Sequence, residues 1–91
     1  MNAEQEHALS WLQQADEDLR AARKLMIPPD PIWGSVVYHC QQAAEKAAKA
    51  ILALHGERIP YEHGIGLMLE KIEQYDSSLG KFRAQAEALT T

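Results

Sequence analysis

The sequence predicts an all-α domain of about four helices, on two observations. Apolar residues recur at three- and four-residue steps in four separate segments, and no stretch alternates apolar and polar residues as a half-buried strand does. The connections between those segments are short, which favours antiparallel neighbours. With 91 residues, 46% apolar and 24% charged, the chain has the composition of a single globular domain, residues 1–91, at the small end of what buries its own core.

The first helix is expected from Ala3 to Met26, where Ala8, Trp11, Leu12, Ala15, Leu19, Ala22 and Met26 keep helical spacing. Its acidic residues come first and Arg20, Arg23 and Lys24 come last, the order that the helix dipole favours. Ile27-Pro28-Pro29-Asp30-Pro31 ends it, because proline lacks the backbone donor and clashes with the preceding turn. Asp30 before Pro31 has the form of an N-cap followed by proline at the first helical position, so a second helix is expected from there to His55, with Gly56 closing it.

This second helix is the centre of the chain. Five alanines in the ten residues from Gln41 to Ala50 give it high helix propensity. Val36, Val37, Cys40, Ala43, Ala44, Ala47, Ala50, Ile51 and Leu54 draw one apolar stripe along it, with Gln42, Glu45, Lys46 and Lys49 on the remaining surface. Cys40, Ala44, Ala47 and Ile51 are therefore expected to be mainly buried, and Ala47→Glu to unfold the domain. Pro60 and the glycines mark a loop, after which Ile65, Met68, Leu69 and Ile72 predict a short third helix ending near Tyr75. Asp76-Ser77-Ser78 offers caps for a fourth segment stepping through Leu79, Phe82, Ala86 and Leu89.

Composition excludes several functions. A net charge of −4 argues against nucleic-acid binding by bulk electrostatics, although a local basic patch survives such an average. One cysteine permits neither an intramolecular disulfide nor a multi-cysteine metal site, and no His-Glu-x-x-His or glycine-rich phosphate loop occurs. No metal or cofactor is expected. The absence of a long apolar run and of signal-peptide features points to the cytoplasm and away from a membrane.

Two groupings carry candidate chemistry. Arg58 and His63 are separated by four residues, and an arginine that holds a phosphate beside a histidine that moves a proton is the pairing metal-free RNA cleavage needs. The alternative is that His63 only caps or packs at the start of the third helix. The second grouping is cationic: Arg20, Arg23 and Lys24 with Lys46 and Lys49 are candidates for holding a nucleotide, although antiparallel packing need not bring all five together. Trp11 and Trp33 are expected as core or interface anchors rather than base-stacking platforms.

Trp11, Ala15, Asp18-Leu19 and Ala22, then Tyr38-His-Cys-Gln-Gln-Ala-Ala-Glu-Lys-Ala-Ala-Lys-Ala50, Gly56 and His63 resemble the HEPN family, the "higher eukaryotes and prokaryotes nucleotide-binding" domain. The resemblance implies an up-and-down antiparallel bundle, commonly dimeric, often paired in prokaryotes with a small nucleotidyltransferase as toxin and antitoxin. Many such proteins are metal-independent ribonucleases whose arginine and histidine lie late in the fold. Arg58 and His63 match the spacing but precede that position, and the last helix that the resemblance implies is expected to be missing after Thr91. The resemblance thus implies a non-catalytic HEPN module, a homodimer that binds a nucleotide, RNA or a nucleotidyltransferase partner. The alternatives are a ribonuclease using Arg58 and His63 and a purely structural dimerisation module.

Overall fold

The computed structural model describes residues 1–59 and 65–75, and these form three helices with no strand: α1 (Ala3–Leu25), α2 (Trp33–Leu54) and α3 (Ile65–Ile72). The segment of Leu79, Phe82, Ala86 and Leu89 lies outside the described residues. Among the described residues, no helix is long and apolar enough to cross a membrane.

Each end of the long helices has a local cause. Asn2 caps α1: its side chain accepts the Gln5 N–H at 2.8 Å while the Gln5 side chain accepts the Asn2 N–H at 3.0 Å, so two otherwise orphaned donors are satisfied together. α2 begins at Trp33, later than Asp30-Pro31 predicts. The Ile32 N–H donates to the Leu25 carbonyl at 2.9 Å, which ties the loop back to the end of α1, and Ile32 lies outside helical backbone geometry (φ −107°, ψ 80°). At the other end Gly56 takes φ +69°, which a side chain would resist, and lets the Gly56 and Glu57 N–H groups close on the Ala53 and Leu52 carbonyls at 3.0 and 2.9 Å.

α1 and α2 run antiparallel. Ala8 packs with Ala50 and Ala53 at one end, and Ala15, Ala22, Val36 and Ala43 are buried along the rest. Small side chains on both helices let the backbones approach. α3 packs on a different side of α2, where Ala48 and Leu52 meet Ile65, Met68 and Ile72. Ile59 touches both clusters. Behind α2 the chain is pinned once more, since the Tyr75 ring stacks on His55 at 3.9 Å and its hydroxyl donates to Glu57, a bond that raises the phenol above its ordinary pKa.

This two-sided grip corrects the expected stripe. Val36, Ala43 and Ala50 face α1 as expected, but Cys40, Ala44 and Ile51 are exposed and Ala47 is half-buried. The stripe is wider than either contact, and α1 and α3 each take one flank and leave its middle open. Leu52 is fully buried by α3. Trp33, at 57% exposure, belongs to neither core cluster of the described residues.

Candidate functional site

The most polar point of the α1–α2 contact is Asp18, only 8% exposed on the same face as Ala15 and Ala22. Its carboxylate accepts Lys46 Nζ on one oxygen at 2.6 Å and His39 Nδ1 on the other at 2.8 Å. Burial pushes the Asp18 carboxyl up, but the hydrogen bonds and charges of Lys46 and His39 outweigh it and hold the group below its ordinary value. Lys46 and His39 both stay partly exposed to water. Because Lys46 already balances the carboxylate, the arrangement clamps the two helices and orients the imidazole, with Nε2 turned away from Asp18.

One turn further along, Lys49 is 6% exposed, not on the surface as expected. Its ammonium lies 4.8 Å from the Trp11 ring centre, and Trp11 in turn donates its indole N–H to His7 Nε2 at 3.1 Å. Burial lowers the Lys49 pKa; Lys46 adds to this and Glu45 opposes it. A depressed lysine pKa means that the unfolded chain holds the proton longer, so stability rises with pH in the window below the ordinary 10.5. Lys49→Met, which keeps the stem and removes the charge, should be neutral or stabilising by about 1 kcal/mol at pH 7 and should abolish that rise. Urea unfolding at neutral and alkaline pH measures both.

The candidate cations therefore divide. Arg20, Arg23 and Lys24 are exposed around a shallow depression of α1 with Glu17 and Ala21, and Arg20 Nε lies 3.3 Å from Asp16 Oδ2. Lys46 is engaged by Asp18 and Lys49 is buried, so the set does not make one solvent-facing surface. Arg58 is exposed after α2, while His63 lies outside the described residues. Among the described residues, no three His, Cys, Asp or Glu side chains gather as a metal ion requires.

An open apolar groove runs along the α1–α2 pair, lined by Leu12, Ala15 and Leu19 on one side and Cys40, Ala44 and Ala47 on the other. It continues past Leu9 and Leu54 toward Met1.

The family model for the HEPN domain matches residues 8–91, nearly the whole chain. The chain belongs to the HEPN family. No curated protein and no solved structure matches it. The three helices and the HEPN match agree on an all-α fold, and the match includes both halves of the Asp18 clamp. That clamp is absent from the site expected from sequence, although one signal for it exists. Asp18 interrupts the face shared by Ala15 and Ala22, and a carboxylate on a buried face needs a charged or hydrogen-bonding partner.

Proposed function

We propose that the chain is a non-catalytic HEPN module that works by association, forming a homodimer through the outer face of α1 and α2. The observation that supports this reading is the exposure, along one groove, of Leu12, Leu19, Cys40 and Ala44, with Ile51 exposed further along α2, on helices otherwise well packed. A continuous apolar face of this kind on a small soluble domain marks a protein contact. The dimer then serves a nucleotidyltransferase partner in a cytoplasmic toxin–antitoxin-like pair, or holds a nucleotide or RNA phosphate at the outward cations Arg20, Arg23 and Lys24. Arg58 and His63 take no catalytic part in this reading.

Light scattering over a dilution series tests it. The wild-type chain should have twice the monomer mass at tens of micromolar, and Ala44→Asp should halve that mass without changing the helical circular dichroism signal. A wild-type monomer throughout would overturn the reading. Cleavage of a structured RNA without added metal, lost in His63→Ala, would establish the ribonuclease in its place.

A further inference from the structure

The exposed face has a definite pattern. On α2, Trp33, Val37, Cys40, Ala44, Ala47 and Ile51 follow one another at steps of four and three, and all but the half-buried Ala47 are exposed. Such a line is the seam of a left-handed helix pair, in which side chains of one helix fill the holes of another. On α1 the same steps run through Leu12, Asp16, Leu19, Arg23 and Met26, all exposed. Two lines of this kind side by side are half of a four-helix bundle.

The α1 line is apolar except at two places, and these carry opposite charges. Asp16 already has Arg20 of the same helix at 3.3 Å on its exposed edge, and an occupant that sets a cation opposite Asp16 and an anion opposite Arg23 is favoured over one that sets like charges there. A second copy inverted about the level of Leu19 does so, because Asp16 then meets Arg23 of the second copy and Arg23 meets its Asp16. In the same inversion Leu12 lies against Met26 of the second copy, and Leu19 against its own equivalent.

The α2 line obeys the same inversion. Asp18 bonds both His39 and Lys46, so the level of Asp18 and Leu19 on α1 falls on α2 midway between those residues, between Cys40 and Ala44. Turning α2 over at that point places Trp33 against Ile51 of the second copy, Val37 against its Ala47 and Cys40 against its Ala44. One two-fold axis therefore fits both helices. From Trp33 to Ile51 the face is about 27 Å long at 1.5 Å per residue, and two helices abreast span about 20 Å. That footprint of about 540 Å², before the relief of the side chains adds to it, approaches the roughly 800 Å² per partner which stable associations bury.

We propose that a second copy of this chain docks on the α1–α2 face about a two-fold axis perpendicular to the helices at Leu19, with Asp16 and Arg23 as reciprocal charge keys that fix the register. The proposal rests on the association reading above and adds its geometry. The dimer is a four-helix bundle in which α1 lies antiparallel to α1 of the second copy, and α2 to α2. Arg23 is then an interface residue, which leaves Arg20 and Lys24 as the outward cations. The inverted register also distinguishes this bundle from the other two-fold solution, with the axis along the helices, where α1 would lie on α2 of the second copy and Asp16 would never meet Arg23.

A charge-exchange cycle on the full chain tests the register. Asp16→Arg alone and Arg23→Asp alone each set like charges opposite one another twice per dimer and should weaken the dissociation constant roughly tenfold or more at low salt. The double variant Asp16→Arg/Arg23→Asp restores opposite pairs and should return to within about threefold of wild type. Both positions are exposed in the monomer, so the single variants should keep the wild-type circular dichroism melt when diluted to monomer. A dimer that Ala44→Asp dissociates, but that the single charge variants leave intact or the double variant fails to restore, would overturn the register and leave the association face standing. A wild-type chain that never dimerises would overturn both.

Discussion

Ala50→Glu should unfold the domain, whereas Ala47→Glu, three residues away on the same alanine-rich helix, should leave the monomer folded. Ala50 is 3% exposed and packs with Ala8 and Ala53 in the contact between α1 and α2. A glutamate there must either bury an unpaired carboxylate or force the helices apart, at a cost of about 4 kcal/mol or more. A domain of this size has a total stability of only about 5–14 kcal/mol, and losing that contact also frees Trp11 and the buried Lys49 beside it. Ala47 borders the open groove, so its glutamate reaches water and costs the monomer about 1 kcal/mol or less. In the proposed dimer its effect falls on self-association instead. Thermal melts followed by circular dichroism separate the two, and an Ala50→Glu protein melting within a few degrees of wild type would refute the close α1–α2 contact.

That contrast shows how far periodicity reads a fold. Helical spacing locates α1, α2 and α3, and the turn chemistry of Gly56 marks the end of α2, because these features depend on residues near one another in the chain. The start of α2 is not local in that sense: the Ile32 N–H is taken by Leu25, seven residues back, and the helix waits for Trp33. Nor does an apolar stripe say which neighbour covers which part of it. Alanine fits equally well beneath a packed helix and on an open flank, so Ala43, Ala44, Ala47 and Ala50 look alike in sequence and differ only once α1 and α3 have taken their sides. Lys49 misleads for another reason. Its charge suggests the surface, but its four-carbon stem and the face of Trp11 make a buried position affordable.

The candidate site divides along the same line. The HEPN resemblance selects Asp18, Tyr38–Ala50 and Gly56 without saying what each does, and the structure gives Asp18, His39 and Lys46 a joint role between the helices. Arg20, Arg23 and Lys24 share one surface because they share one helix. Lys46 and Lys49 join the core contact because their neighbours across the interface are an acid and an indole, and that pairing depends on the antiparallel register of two helices. Sequence spacing within one helix cannot supply it.

Asp18→Ala should cost about 2 kcal/mol, a fall of roughly 10 °C in melting temperature for a domain of this length. Removing the carboxylate from a fully buried ion pair costs about 3–5 kcal/mol, because the cation left behind stays desolvated. Here the penalty is smaller, since Lys46 and His39 each have an exposed flank and can turn toward water once released. What remains is the lost pair of charge-assisted hydrogen bonds and the lost tie between α1 and α2. Asp18→Asn should fall between the two proteins, because the amide oxygen still accepts one hydrogen bond but carries no charge. The pH dependence separates charge from shape. The folded carboxyl titrates below its ordinary value of 3.8, so its contribution is complete above that value and is lost as pH falls through the lower, folded one. Wild type should therefore lose stability on acidification from about pH 5 downward, with Asp18→Asn showing a shallower acid slope over the same range. Equal slopes in the two proteins, or an Asp18→Ala melt indistinguishable from wild type at neutral pH, would mean that the Asp18 carboxylate does not hold the helices together.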